Sequence, residues 1–171
     1  MNFLNYLLKA KGRHGTHSPY IYKFVADALH ENTPARNYPK EVQGNKARTL
    51  FRVLSYLAEG QQLRVSPAVI QAHGWLQYFM PVITDPGKRT ITEQAFFILS
   101  LEEIEWYKQA LFTKEMSSGS SFLVLHPGNP DYPLLEDCFK QEWFNATLFT
   151  WDFSVLMNRP DFKRKQHFIL R

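Results

Sequence analysis

Hydrophobic and polar positions are most clearly organised in residues 120–160, which predict a strand, a helix and two further strands. Residues 122–125 form an uninterrupted apolar run, which is typical of a strand buried on both faces. Turn-forming residues follow, and beyond them the apolar residues take helical spacing, at positions 134, 135, 138 and 139. Strand patterns return at 147–151 and 153–158. Such a unit has a right-handed crossover when its flanking strands are parallel.

The rest of the chain alternates helical and strand patterns. Ser18-Pro19 and Ser66-Pro67 each pair a capping hydroxyl with a proline at the first helical position, which predicts a helix start. We predict helices at 2–9, from Ser18 to the polar linker at 31–44, from Asn45 to before Gly60, and at 66–80 and 101–112. We predict strands at 63–65, 82–84, 95–99 and 167–170. In the fourth helix we expect Val69, Leu76, Phe79 and Met80 to be buried. The alternation predicts an α/β fold, a three-layer α/β/α sheet with mostly parallel strands and antiparallel C-terminal strands.

Length and composition indicate a globular chain. Its 171 residues suit one domain, and we divide them into an N-terminal helical extension at 1–44 and an α/β domain at 45–171. Hydrophobic residues at 44% and charged residues at 21% argue against disorder. The sequence has no apolar run near the ~20 residues of a membrane span, and we expect no signal peptide. Cys138 is the single cysteine, so an intramolecular disulfide is excluded and a cytoplasmic protein is expected.

The formal net charge of +4 is modest, but the basic residues cluster at two places. The clusters consist of Lys9, Lys11 and Arg13 near one end and Arg159, Lys163, Arg164 and Lys165 near the other. Phosphate or nucleic-acid binding would require both clusters on one face of the fold. A solvated basic surface is the interpretation that the modest charge favours.

Residues 14–22, HGTHSPYIY, followed by an amphipathic helix, resemble the N-terminal signature of a bacterial group of class I S-adenosylmethionine-dependent methyltransferases. Residues 48–56, RTLFRVLSY, are similar to the helix that leads into the first strand of that family, and residues 147–158 and 167–171 to its closing antiparallel strands. The resemblance implies a Rossmann-like fold and S-adenosylmethionine as the cofactor.

The middle of the chain departs from that family where the cofactor should bind. The family has an acidic-x-Gly-x-Gly loop after its first strand, whose glycines let the backbone approach the cofactor. Here residues 63–67, LRVSP, contain neither a glycine nor an acid. The family also has a ribose-binding acid after its second strand; Asp85 matches it, although its Asp-Pro-Gly turn explains it equally well. The resemblance therefore leaves Ser66 and Asp85 as the candidates for cofactor binding.

Other motifs have simpler explanations. His14 and His17 have metal-ligand spacing, but no third ligand stands out, so no metal site is predicted. An anion site formed by Arg13, His14, His17 and Ser18 at the start of the second helix is a candidate, with a structural cap as the alternative. The tryptophans and phenylalanines are expected to form a core rather than a platform for nucleic-acid bases.

The sequence thus predicts a truncated, diverged methyltransferase-like domain without catalysis or a bound cofactor. Its role would be that of a binding or oligomerisation module, as a homodimer or with another protein, because losing a βα unit exposes apolar surface. One alternative is an active methyltransferase that binds S-adenosylmethionine in a remodelled pocket. A second alternative is a protein that binds phosphate or nucleic acid. Under the main prediction, we expect neither nucleic acid nor a membrane as the partner.

Overall fold

A computed structural model of the chain describes residues 3–11, 18–30, 37–83, 94–104, 120–126, 128, 133–142, 144–159, 162 and 164–170. The α-helices are α1 Phe3–Lys9, α2 Pro19–Phe24, α3 Gly44–Leu57, α4 Pro67–Ala72 and α5 Pro133–Lys140. A π-helical turn, Val25–Leu29, continues α2, and a 3₁₀ helix, Gly74–Phe79, follows α4. The strands are β1 Leu63–Val65, β2 Val82–Ile83, β3 Phe96–Ser100, β4 Ser121–Leu125, β5 Ala146–Phe149, β6 Phe153–Met157 and β7 Gln166–Ile169.

The seven strands form one sheet in the order β2-β1-β3-β4-β6-β5-β7. Strand β6 is antiparallel to both β4 and β5, and every other neighbouring pair is parallel. The predicted Rossmann-like α/β class is therefore confirmed. Strand β7 lies at one edge of the sheet and pairs parallel with its neighbour β5, not antiparallel as predicted for the C-terminal strands.

The alternation of side chains along each strand builds two apolar cores, one on each face of the sheet. In β3, Phe96 and Ile98 point to the first face, whereas Phe97 and Leu99 point to the second. Helices α2 and α3 cover the first face, and Leu135 and Cys138 of α5 pack on the second. These are the three layers that the sequence predicts, and Cys138 is the core residue that its position on the helix indicated.

Arg52 holds α3 against the end of the π-helical turn. Its guanidinium is buried and donates hydrogen bonds to the carbonyl oxygens of Ala28, at 2.9 Å, and Leu29, at 3.1 Å. It also donates to the hydroxyls of Tyr38 and Thr49. Carbonyls at the end of a helix lack partners within it, so a buried cation is well placed to satisfy them. This contact fixes the position of α3 over the sheet.

The helix predicted at 66–80 is broken into two pieces. His73 leaves the helical region, with φ −130° and ψ 60°, and Gly74 then begins the 3₁₀ helix. Glycine is a weak helix former, and the break lets Leu76 turn into the core. Met80 was predicted to be buried, which is wrong: it takes a left-handed conformation, φ 47°, past the end of the 3₁₀ helix and is 89% exposed.

Candidate functional site

Strands β1 and β3 lie side by side and parallel, and they form the point of the sheet where ligands bind in doubly wound folds. The chain leaves β1 towards β2 on one side, while β4 lies beyond β3 on the other, the order 2-1-3-4. In such sheets the crevice at the carboxyl ends of these two strands is the usual ligand site. We call this place the switch point, and it is where Ser66 follows β1 and Ser100 ends β3.

The carboxylate of Glu103 fills the switch point. Its Oε2 accepts hydrogen bonds from the hydroxyl of Ser66, from the backbone N–H of Ser100 at 3.0 Å and from the Ser100 hydroxyl at 2.8 Å. Its Oε1 accepts from the N–H of Ala68 at 3.3 Å, and the side chain is only 2% exposed. A buried carboxylate with this many donors is well satisfied.

Local sequence explains why Glu103 takes this position. Ser100 and Glu103 form a capping box: the Ser100 hydroxyl accepts from the Glu103 N–H at 3.4 Å, and the Glu103 carboxylate accepts from the Ser100 N–H. The Ser-x-x-Glu spacing of this box is the signal in the sequence that points to Glu103. The additional bonds to Ser66 and Ala68 cross 37 and 35 positions and require the folded sheet.

The first turn of α4 has no amide hydrogen left to offer a ligand. Pro67, at the first helical position, has no N–H. The next two amides are both used, because Ala68 donates to Glu103 and Val69 donates to the Ser66 hydroxyl at 3.4 Å. Anions bind at helix starts through such amides, so this helix start is closed by the protein's own groups.

A separate cleft opens at the same edge of the sheet, on its first face. Its volume is about 560 Å³, and it lies between the first turns of α3 and the start of β6. Its described lining consists of Asn45, Lys46, Ala47, Thr49, Leu50, His73, Leu125, His126, Asp152 and Phe153. Small-molecule sites in proteins have volumes in this range.

Two local features place the charged residues at the mouth of the cleft. Lys46 and Leu50 are four positions apart in α3, so they lie on the same side of that helix. Thr150 shapes the turn between β5 and β6 through hydrogen bonds with the backbone of Phe153, at 2.8 and 3.1 Å. This turn brings Asp152 to within 2.6 Å of the Lys46 ammonium.

His126 is a buried residue of the wall where β4 ends. Its Nε2 is 3.0 Å from the hydroxyl of Ser154, and its ring stacks on Phe149 with a centroid separation of 5.7 Å. Burial lowers the pKa of His126 to about 4, although nearby Asp152 acts in the opposite direction. The imidazole is therefore neutral at physiological pH. Burial also lowers the pKa of His73, which lines the cleft further along.

The predicted site residues fall into two groups. Ser66 lies in the switch-point network, and Ser18 caps α2 by accepting from the Ile21 N–H at 3.4 Å. The remaining candidates, Arg13, His14, His17 and Asp85, lie outside the described residues. Among the described residues no group of three or more His, Cys, Asp or Glu side chains could hold a metal ion. Sequence reasoning missed Glu103 and the pair of Lys46 and Asp152.

Lys11 and Lys165, one residue from each basic cluster, lie at opposite ends of β7. Lys11 donates its N–H to the carbonyl of Ile169 at the end of this strand, at 2.7 Å. Lys165 precedes the strand, and its ammonium donates to the carbonyl of Gln141 at 2.7 Å. Arg159 lies over the ring of Tyr20, 4.0 Å from its centroid. Arg13 and Lys163 lie outside the described residues.

No protein-family model, curated protein or solved structure matches this chain. In the described part of the chain, no helix has both the length and the apolar character that crossing a membrane requires.

Proposed function

We propose that the chain is a methyltransferase-like Rossmann domain that does not bind S-adenosylmethionine and acts as a binding module. The observation that carries this proposal is the position of Glu103 at the switch point. A cofactor there would need hydrogen-bond donors from the start of α4, and Glu103 and Ser66 already occupy those donors. The described residues at the switch point therefore do not fit the cofactor.

Energetics support the same proposal. A hydrogen bond to a charged group contributes about 1.5–3 kcal/mol, and the Glu103 carboxylate accepts several. A ligand that used the amide at the start of α4 would have to replace the bond from Ala68 to Glu103. An anionic group on the ligand would also meet a buried negative charge. Ser66-Pro67 adds to the obstacle, because neither residue allows the close backbone approach that glycine gives.

Calorimetric titration of the purified chain with S-adenosylmethionine and S-adenosylhomocysteine tests this proposal. We expect no binding heat and no rise in melting temperature at millimolar ligand. Binding in the micromolar range would contradict it.

The cleft favours an alternative function, an active methyltransferase with S-adenosylmethionine in a remodelled pocket. This cleft opens at the edge of the sheet where such a cofactor is expected, but away from the switch point. Ala47 is half-buried in the lining, so an Ala47→Trp substitution would fill the cleft. Micromolar binding that this substitution abolishes would identify the alternative.

The binding role includes self-association through the outer edge of β2. Apolar side chains are exposed in this strand and in the segment just before it: Ile83 is 58% exposed, Met80 89% and Tyr78 62%. Strand β2 is the outermost strand of the described sheet, and an exposed apolar edge strand pairs readily with a second strand. Light scattering after gel filtration should give the mass of a dimer, and Ile83→Lys should reduce it to that of a monomer. A monomeric parent chain would contradict this part of the proposal.

A further inference from the structure

We infer that the cleft between α3 and the start of β6 binds an amphipathic carboxylate, a small molecule with an apolar or aromatic body and one carboxylate group. This inference goes beyond the proposed function. The described lining of the cleft includes none of the switch-point residues Ser66, Ser100 and Glu103. The switch point can therefore be closed while the cleft is open to a ligand.

The floor of the cleft suits an apolar or aromatic body. Leu50 of α3 and Phe153 of β6 are almost fully buried, and Leu125 lies beside Phe153 in the paired strand β4. Ala47 leaves room above this floor because its side chain is a single methyl group. Leu50 and Phe153 have little surface left to cover, so a ligand gains mainly by covering the half-buried Leu125 and Ala47, at about 25 cal/mol for each Å² of apolar surface removed from water.

The mouth of the cleft supplies a cation for the carboxylate. The side chain of Lys46 is 81% exposed and that of Asp152 is 42% exposed, although their charged atoms are 2.6 Å apart. An exposed ion pair of this kind contributes only about 0–1 kcal/mol, because water and salt screen it. A ligand carboxylate can therefore replace Asp152 on the Lys46 ammonium at little cost, while Asp152 returns to solvent.

The surroundings of the ion pair favour an anion over a cation. Lys46 lies in the first turn of α3, where the helix dipole is positive, so the field of the helix adds to that of the ammonium. His73 carries no positive charge at neutral pH, so its contribution is limited to hydrogen bonding. A cationic ligand would have to displace Lys46 from Asp152 against the field of the helix.

Two probes that share one apolar body test the inference on the full chain. Indole-3-propionate carries a carboxylate, and tryptamine carries an ammonium group on the same indole ring. We expect calorimetry and ligand-observed NMR to show binding of indole-3-propionate, with tryptamine about tenfold weaker or undetectable. Absence of binding by indole-3-propionate, or equal binding of the two probes, would overturn the inference.

Substitutions at the mouth should change the affinity in opposite directions. Lys46→Met should weaken the binding of indole-3-propionate about fivefold. Asp152→Asn should strengthen that binding about threefold, because it removes the carboxylate that competes for Lys46. Lys40→Met is the matched control, because Lys40 is an exposed lysine outside the described lining, and it should leave the affinity unchanged. Weaker binding by Asp152→Asn, or an unchanged affinity in Lys46→Met, would show that the ligand does not exchange with Asp152 and would contradict the inference.

Each variant should keep the far-ultraviolet circular dichroism and melting temperature of the parent, because both mouth residues are exposed. Titration with S-adenosylmethionine is a separate measurement. The proposed function fails if that cofactor binds, and the present inference fails if indole-3-propionate does not. The two failures are therefore distinguishable.

Discussion

The switch point and the cleft lie at the same edge of one sheet, yet they have opposite character. At the switch point, Glu103 is 2% exposed, and its carboxylate accepts hydrogen bonds from Ser66, Ala68 and Ser100. In the cleft, the charged groups of Lys46 and Asp152 pair with each other in solvent above about 560 Å³ of space. The difference indicates that a site expected from the fold class can be closed by local chemistry while another one opens nearby.

The two regions should therefore respond differently to substitution. Groups at the switch point stabilise the fold and use the amides that a ligand would need. Groups at the mouth of the cleft contribute little to stability and are available for binding. His126 lies between these extremes, since it belongs to the wall of the cleft but is buried.

The largest effect on the free energy of unfolding is expected from the substitution Glu103→Ala. This substitution removes the acceptor of the Ser66 hydroxyl and of the Ala68 and Ser100 amides, and it should lower the free energy of unfolding by about 4 kcal/mol. Urea unfolding measures this change. Glu102→Ala is the control, because Glu102 is exposed, and it should change stability by less than about 0.5 kcal/mol. Equal effects of the two substitutions would show that the switch point is not held by Glu103.

A somewhat smaller effect on the free energy of unfolding is expected when the pH falls and His126 takes up a proton. Its pKa is about 4 in the folded chain and near 6.5 when unfolded, so the unfolded state binds the proton first as pH falls. The stabilising contribution of the neutral imidazole is complete above pH 6.5 and is lost progressively down to about pH 4, a loss on the order of 3 kcal/mol. The free energy of unfolding, measured at several pH values across this range, should show this loss.

His126→Gln supplies the comparison for that measurement. The variant should be less stable at neutral pH, but its stability should fall less steeply between pH 6.5 and about 4. Part of the slope should remain, because burial also lowers the pKa of His73. If the stability of the parent chain and that of His126→Gln depend on pH with the same slope, His126 is not a buried neutral group.

The smallest effect on stability is expected from Lys46→Met. The ion pair with Asp152 is exposed, so its loss should change the free energy of unfolding by less than about 1 kcal/mol. Thermal unfolding checks this expectation, and Lys40→Met provides the baseline for loss of one exposed lysine. A loss of several kcal/mol would mean that the mouth of the cleft is part of the stabilising structure, and it would remove the contrast with the switch point.

Local patterns were sufficient to predict much of the fold. The strand at 63–65 is β1, and the Ser66-Pro67 signal marks the start of α4, because both depend on adjacent residues. The pattern of apolar residues in the sequence also predicted β4 and the antiparallel pair of β5 and β6 to within a few residues. The break at His73 was missed because the apolar spacing of the 3₁₀ helix resembles that of a continuing α-helix.

The two candidate sites could be predicted much less well. The switch-point network joins Ser66 to Glu103 across 37 positions, and single-residue patterns contain no information on such a contact. The cleft joins residues of α3 to the turn before β6, and Lys46 and Asp152 are 106 positions apart. Only the family resemblance points to Ser66, because that family binds its cofactor at the end of the first strand.

Amide hydrogen exchange at Ala68 and Val69, measured by NMR on the parent chain and on Glu103→Ala, tests the central claim most directly. Amides in the first turn of a helix usually exchange fast because they lack partners. The closed switch point predicts slow exchange at both positions in the parent chain and fast exchange at Ala68 in Glu103→Ala. Fast exchange at Ala68 in the parent chain, or a rate that the substitution leaves unchanged, would contradict the account and leave the start of α4 open to a ligand.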